Sequence, residues 1–302
     1  MTTSQTLRGV FAPTLTPVHA DLSPDAERFV AHSKWLLEDG CHGLCPFGTT
    51  SEANSFSVGE RIDLLDQLID ADVSPSVLMP GTGCAALTDS VTLTQHAVQA
   101  GCAGVLLLPP FYYKGVPDEG IFRAIAEVIE RVGDDRLRVY LYHIPPVAQV
   151  GFNLKLIERL ITAYPQTVVG IKDSSGDWNN LKSILTTFPG FGAFSGSERF
   201  VLETLRLGGA GAINAVANVI AGRLRKLYDN WQRDEAEALQ EDVLVIAKAR
   251  GEYAPIPVLK QIKARLTQDP AWLTLRPPLV QLSDAEAGPL LAKLADVTTP
   301  RG

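Results

Sequence analysis

The sequence contains few of the residues that build disulfide frameworks or metal centres. It has four cysteines and five histidines among 302 residues. Cys41 and Cys45 are spaced like one half of a metal-binding clip, but the second half is missing and the histidines show no ligand spacing. We therefore predict free thiols in a reducing cytoplasm, and we expect neither a metal nor another cofactor.

Long hydrophobic segments and clusters of basic residues are also missing. No apolar run is long enough to span a bilayer, and the first ten residues lack the basic and apolar regions of a secretory signal. The net charge is −7 without any basic run, which argues against nucleic acid or an anionic membrane as a partner. A hydrophobic content of 46% and a charged content of 20% are typical of a globular protein.

What the sequence does contain is a series of short apolar runs, each ending in small or polar residues. These predicted strands cover residues 9–18, 43–50, 77–83, 104–111, 138–145, 168–175, 191–198 and 210–218. Most are continuously hydrophobic, as expected for strands that are buried on both faces. Helical patterns separate them, and this alternation predicts parallel strands with right-handed crossovers.

Eight such units favour an α/β fold of the (β/α)8 TIM-barrel type, with an open doubly wound sheet as the alternative. We predict a barrel domain at residues 1–221 and a C-terminal helical extension at 222–302, with a helix break at 253–257. Ser23 with Pro24 is expected to start the first helix, Ser57 and Glu60 to form a capping box, and Asp177 to cap a later helix.

An active site in a barrel lies at the carboxyl ends of the strands, so the polar residues there are the candidates. Lys172 follows an apolar run, and desolvation at that place favours the neutral, nucleophilic amine. Tyr142 ends the preceding predicted strand and can move protons, while Thr49 and Thr50 lie on a glycine loop that can hold a carboxylate. Alternatively, Lys172 pairs with a carboxylate, Tyr142 packs its ring at the rim of the barrel, and the segment of Thr49 and Thr50 is a simple turn.

One further motif resembles a nucleotide-binding loop. Residues 81–86 have the pattern G-x-G-x-x-A between a predicted strand and a predicted helix. The acidic residue expected about twenty positions later is absent, so nucleotide binding is disfavoured.

Five segments together carry a resemblance that extends over essentially the whole chain. They are Gly48-Thr-Thr-Ser-Glu52, Pro110-Phe-Tyr-Tyr113, Tyr142-His-Ile-Pro145, Gly170-Ile-Lys-Asp173 and Ala217-Asn-Val219. In combination they resemble the family of dihydrodipicolinate synthase and N-acetylneuraminate lyase. The resemblance implies a TIM barrel with a helical extension, and usually a homotetramer made of two tight dimers. It also implies an enzyme that joins or separates pyruvate and an aldehyde through a lysine Schiff base.

The resemblance also implies roles for particular residues. Lys172 matches the Schiff-base lysine, Tyr142 the proton-shuttling tyrosine and Thr49 the relay hydroxyl. Thr50 and Ile213 match positions that hold the carboxylate of the keto acid.

A further tyrosine of the relay is lent by the neighbouring subunit in the synthases of this family. It matches Tyr112, with Tyr113 as the alternative, because the loop is one residue longer than usual.

Departures from the family pattern concern the second substrate. Val147 stands where the synthases carry an arginine that binds the carboxylate of aspartate semialdehyde, and His143 replaces an asparagine. Ser51 replaces a common glycine, and residues 197–199 differ from the acidic pair of the neuraminate lyases. We expect Gly48, His143, Val147 and Ser195 to contact substrate as well.

The sequence therefore predicts a pyruvate-forming aldolase or dehydratase that acts on a 2-keto-3-deoxy or 4-hydroxy-2-keto acid. The apolar Val147 and Pro146 suggest that the distal end of this substrate is less anionic. A genuine synthase that takes its basic group from elsewhere is the first alternative. A non-catalytic protein that binds a keto acid is the alternative of another class.

Overall fold

Seven short parallel strands form a curled sheet in the computed structural model, which describes residues 6–298. The outermost parts of the two predicted domains, residues 1–5 and 299–302, lie outside the described residues. The strands are β1 (Gly9–Ala12), β2 (Gly43–Leu44), β3 (Val105–Leu107), β4 (Val139–His143), β5 (Val168–Asp173), β6 (Gly192–Ser195) and β7 (Gly211–Ile213). Their order is β2-β1-β7-β6-β5-β4-β3.

One of the eight predicted strands, at residues 77–83, is too irregular to count as a strand, yet it closes the barrel. The Met79 amide donates to the Leu44 carbonyl at 2.8 Å, and the Leu106 amide donates to the Pro80 carbonyl at 2.9 Å. Pro80 has no N–H of its own, so a continuous ladder cannot form there. The (β/α)8 prediction is confirmed, and the open sheet is excluded.

Helices alternate with the strands and then continue as a tail. The barrel helices are α1 (Ala26–Glu38), α2 (Val58–Asp70), α3 (Leu87–Gln99), α4 (Asp118–Val132), α5 (Pro145–Ala148), α6 (Leu154–Ala163), α7 (Trp178–Thr187) and α8 (Val201–Arg206). With the short α5 set aside, the eighth barrel helix is α9 (Ala217–Asn230), which follows β7 and packs on β1. The tail helices are α10 (Ala236–Val243), α11 (Val245–Arg250), α12 (Pro255–Thr267), α13 (Asp284–Lys293) and α14 (Ala295–Thr298). The break predicted at 253–257 is confirmed between α11 and α12. Within residues 6–298, no helix has the length and apolar character needed to cross a membrane.

Two of the predicted helix starts are confirmed and one is wrong. Ser57 and Glu60 form the capping box of α2, and the Asp177 side chain caps α7. The cap of α1 is Asp25 instead of Ser23, and its carboxylate accepts the Arg28 amide at 2.9 Å. An antiparallel bridge between Val18 and Pro24 keeps Pro24 outside the helix, so α1 begins two residues later than Pro24.

The core has two layers, one between strands and helices and one inside the barrel. Inside, Phe194 packs against Phe11 and Tyr140 with ring centroids 5.6 Å and 5.9 Å apart. Successive strand residues point to opposite faces, so Tyr140 and Tyr142 face inward while Leu141 packs outward against helices. This alternation decides which side chains at the strand ends can reach the barrel mouth.

Candidate active site

Lys172 lies near the carboxyl end of β5, inside the barrel. It pairs with Tyr142 of β4 on one side and with Phe194 of β6 on the other. Its side chain is buried, with only 4% of the residue exposed, and its Nζ lies 4.3 Å from the centroid of the Tyr142 ring. The apolar neighbours thus hold an amine against a phenol at the top of the barrel.

Tyr142 connects this amine to the loop that follows β2. Its hydroxyl donates a hydrogen bond to Thr49 Oγ1 at 3.2 Å. The structure therefore brings together Lys172, Tyr142 and Thr49 from three separate parts of the sequence. An amine, a phenol and a hydroxyl in this order can transfer a proton to or from a group bound at the amine.

The loop at residues 48–52 offers backbone donors beside this cluster. The amides of Ser51 and Ala53 both donate to the Gly48 carbonyl, at 3.1 Å and 3.2 Å. Among the described residues, no protein group accepts the amides of Thr49 and Thr50. Two adjacent free N–H groups in a turn form a cradle for a carboxylate.

Ile213 lies two strands away from this loop in the strand order, because β1 stands between β2 and β7. It ends β7, pairs with Phe11 of β1 and is fully buried in the barrel interior. Its side chain is apolar, so only its backbone can contact a polar ligand.

Two buried contacts fix the loop in place. Ser51 Oγ donates to the Thr14 carbonyl at 2.5 Å. Glu52 Oε1 lies 2.5 Å from Lys260 Nζ of α12, and both side chains are 1% exposed. Burial lowers the pKa of Lys260, while the Glu52 carboxylate acts in the opposite direction. The helical tail thereby fixes the position of the loop that carries Thr49 and Thr50.

The structure does not bring the side chains of His143 and Ser195 to the Lys172 cluster. Each follows an inward-facing residue by one position, so its side chain points to the outer face of the sheet. His143 Nδ1 accepts the Phe152 amide at 2.9 Å, and burial lowers the pKa of His143 while Asp173 opposes that shift. Ser195 Oγ donates to the Ser197 carbonyl at 2.7 Å.

Three further predicted residues are exposed to solvent. Val147 on α5 is 60% exposed, and Tyr112 and Tyr113 are 71% and 72% exposed. The two tyrosine rings pack edge to face, with centroids 5.3 Å apart. Lys114, which follows Tyr113 in the same loop, donates a hydrogen bond from Nζ to the Ala148 carbonyl of α5 at 2.8 Å.

A cavity of about 420 Å³ lies over the carboxyl ends of β4 to β7, and the tail helices cover it. Its lining includes Ser174 and Ala215 next to the strand ends, together with Pro146 of α5. Arg199 and Arg250 line it too, and within residues 6–298 neither has a carboxylate within 4.0 Å. No sequence motif pointed to Arg250, because it lies on the tail helix α11, remote along the chain from every predicted strand.

The cysteines are free thiols, as predicted. Cys41 and Cys45 are both buried, and burial raises the pKa of Cys41 to about 12. Cys45 belongs to the barrel interior, where burial raises its pKa as well. In the described part of the chain, no group of three or more His, Cys, Asp or Glu side chains could hold a metal ion.

The closed barrel and the amine–phenol–hydroxyl cluster are typical of lyases of the class I aldolase type. A family model described as the dihydrodipicolinate synthetase family matches residues 6–296. The chain belongs to this family, as its sequence motifs predicted, and it is accordingly an aldolase-type lyase.

Individual relatives agree with this assignment. An uncharacterized DapA-like lyase from Chloroflexus aurantiacus is 35% identical and covers 97% of this chain and 99% of its own. The crystal structure of dihydrodipicolinate synthase from Agrobacterium tumefaciens superimposes with a TM-score of 0.90 at 29% identity, covering 96% of this chain and 99% of its own. A prophage protein of the same family from E. coli K12, solved in complex with pyruvate, gives 0.87 at 26% identity, covering 96% and 98%.

Proposed function

We propose that Lys172 forms a Schiff base with pyruvate or a related 2-keto acid. The observation that carries this proposal is the buried Lys172 amine against Tyr142, whose hydroxyl bonds to Thr49. The free amides of Thr49 and Thr50 would hold the carboxylate of the keto acid, with the backbone of Ile213 contributing from β7, two strands away. The pyruvate complex of the E. coli relative supports the choice of keto acid.

The chemistry follows from these positions. The Lys172 amine adds to C2 of the keto acid, and the adduct loses its C2 oxygen as water after Tyr142 supplies a proton. In the cleavage of a 4-hydroxy-2-keto acid, a base takes the C4 hydroxyl proton and the C3–C4 bond breaks. The electron pair of that bond passes into the protonated imine, an aldehyde leaves, and an enamine remains. Protonation at C3 and addition of water then release pyruvate and restore the amine.

The Schiff base can be tested without knowing the second substrate. The protein is incubated with pyruvate, reduced with borohydride and weighed by intact mass spectrometry. One reduced pyruvate per chain is the expected result, and an unmodified mass would refute the proposal. An adduct without turnover of any 2-keto-3-deoxy or 4-hydroxy-2-keto acid would instead indicate a protein that only binds keto acids.

For the complete substrate, we propose a 2-keto-3-deoxy or 4-hydroxy-2-keto acid, on which the protein acts as an aldolase or dehydratase. Val147 is exposed and does not line the cavity over the carboxyl ends of β4 to β7. Arg199 and Arg250 line that cavity instead. They favour a second candidate function, the synthase reaction of pyruvate with aspartate semialdehyde, because a guanidinium can pair with the semialdehyde carboxylate.

Replacing Arg250 with glutamine distinguishes these candidates. If the protein is a synthase, kcat/KM for aspartate semialdehyde should fall by roughly 10- to 100-fold, the range expected for one lost charge-assisted contact. The pyruvate adduct should form as in the parent protein, since Arg250 lies on the tail helix. Coupled assays of ring formation measure the effect, and Arg233→Gln on the exposed surface is the matched control. No detectable ring formation by the parent protein would remove the synthase candidate.

We also propose that the chain works as a homotetramer, a dimer of dimers, in the cytoplasm. Tyr112 and Tyr113 form an exposed aromatic pair, and such pairs are enriched at protein interfaces. In a tight dimer, Tyr112 would extend the proton relay of the neighbouring subunit. The four free cysteines are consistent with a reducing compartment.

Tyr112→Phe is therefore expected to lower turnover by about 10²- to 10⁴-fold, the usual contribution of a positioned proton donor. The pyruvate adduct and the dimer should persist, because the ring is retained. Steady-state assays and analytical ultracentrifugation measure the two properties. Tyr113→Phe is the control, and a larger loss in that variant would transfer the role to Tyr113.

A further inference from the structure

A second cavity, which we call the outer cavity, lies on the helical side of the barrel away from the Lys172 cluster. Its volume is about 420 Å³, and it is bounded by α1, α9, α12 and the short helical segment at residues 270–273. Two indole rings line it, from Trp35 and Trp272. Further apolar walls come from Val219, Ile220 and Leu266. A volume of this size accommodates a small organic molecule.

Lys263 is the unusual residue of the outer cavity. It is only 4% exposed, and its Nζ lies 3.4 Å from the Trp35 ring centroid and 5.9 Å from that of Trp272. Across residues 6–298, Nζ donates no hydrogen bond and no carboxylate lies within 4.0 Å of it. Burial lowers the pKa of Lys263 to about 7, against the opposing effect of Asp39. A buried ammonium without an anionic partner is costly, so this position favours a ligand that supplies one.

A second buried polar group lies next to it. His32 is 3% exposed and stacks on Trp35 with ring centroids 5.7 Å apart. Its Nε2 lies 2.9 Å from Asn218 Oδ1, whereas its Nδ1 has no partner among the described residues. Burial and the nearby Lys263 lower the pKa of His32, which keeps the ring neutral. The imidazole therefore does not neutralise or add to the charge of the cavity.

The other cations at the cavity are already neutralised. Arg28 pairs with Asp25 and Asp269, the latter at 2.8 Å. Arg223 pairs with Asp242 at 2.6 Å and with Asp296 at 3.2 Å. Among the described cavity residues, Lys263 is the cation for which no carboxylate lies within 4.0 Å, and apolar and aromatic walls surround it.

We propose that the outer cavity binds a small monocarboxylate with an aromatic or branched apolar body. Its carboxylate pairs with Lys263 Nζ, and its body packs along the wall formed by Trp35, Val219 and Leu266, because the His32 ring already contacts both indoles. A monoanion matches a single lysine without an ion pair, and the aromatic and apolar walls match an apolar body of this kind. The site is separate from the Lys172 cluster and needs no reaction there.

The probe is 3-phenylpropionate, and its uncharged analogue 3-phenylpropionamide is the matched ligand control. Binding is followed by calorimetry and by fluorescence, since two of the four tryptophans line the cavity. It is measured on the protein both untreated and after reduction with pyruvate, so that occupation of the Lys172 site does not contribute. We expect the carboxylate to bind at least about tenfold more tightly than the amide in both forms, as one charge-assisted contact predicts.

Two variants connect this binding to the cavity. Lys263→Met keeps the aliphatic length without the charge and should weaken carboxylate binding at least about tenfold, to the level of the amide. Leu266→Trp keeps Lys263 but fills the space, and it should weaken both ligands. Far-ultraviolet circular dichroism establishes that each variant is folded. Equal binding of acid and amide to the parent protein, no binding at millimolar concentration, or unchanged binding by folded Lys263→Met would each overturn the proposal.

Discussion

Lys172→Ala is expected to abolish the borohydride-trapped pyruvate adduct and to lower turnover by about four orders of magnitude or more, as loss of an attacking nucleophile does. The variant should fold, because the smaller side chain leaves the surrounding apolar contacts of β4, β5 and β6 in place. Turnover is measured with the best keto acid found for the parent protein. The adduct is measured by intact mass.

A matched control separates the loss of this amine from a general effect of removing a lysine. Lys182 lies on the exposed surface of α7. Lys182→Ala should retain both the adduct and the activity. If Lys172→Ala still traps pyruvate at the parent level, the assignment of the nucleophile is wrong.

Lys260→Met is expected to destabilise the protein by about 3–5 kcal/mol, the cost of leaving one member of a buried ion pair without its partner. The variant leaves the Glu52 carboxylate buried without its ammonium. Because Glu52 ends the loop of Thr49 and Thr50, the KM for pyruvate should rise as well. Urea unfolding followed by tryptophan fluorescence at neutral pH measures the free energy change.

Two further variants show whether the charge is the cause. The double variant Glu52→Gln with Lys260→Met removes both charges and should recover most of the lost stability. Arg123→Ala breaks an exposed pair with Glu119 and should change stability by less than about 1 kcal/mol. If Lys260→Met unfolds at the same urea concentration as Arg123→Ala, the buried pair does not stabilise the protein as proposed.

The barrel and its catalytic cluster could be predicted from the sequence because both follow from local patterns. Continuous apolar runs marked the strands, and their polar ends marked Lys172, Tyr142 and the glycine–threonine loop. The run at 77–83 was correctly identified as part of the wall, although Pro80 prevents it from forming a regular strand.

Other features depend on geometry that the sequence does not display. His143 and Ser195 lie at strand ends, but a shift of one residue turns a side chain to the outer face, and the runs do not reveal this register. The contact between Glu52 and Lys260 joins residues that are remote in the chain. Arg250 and Lys263 lie on tail helices whose packing only the folded structure shows, so neither could be predicted as a cavity residue.

The central claim, that Lys172 carries the keto acid, is tested most directly by locating the reduced adduct. After treatment with pyruvate and borohydride, the protein is digested and its peptides are sequenced by tandem mass spectrometry. Lys263 is the informative competitor, because it is a second buried amine that lines a cavity. The reduced pyruvate is expected on Lys172 alone. An adduct on Lys263 or on any other lysine, with Lys172 unmodified, would contradict it.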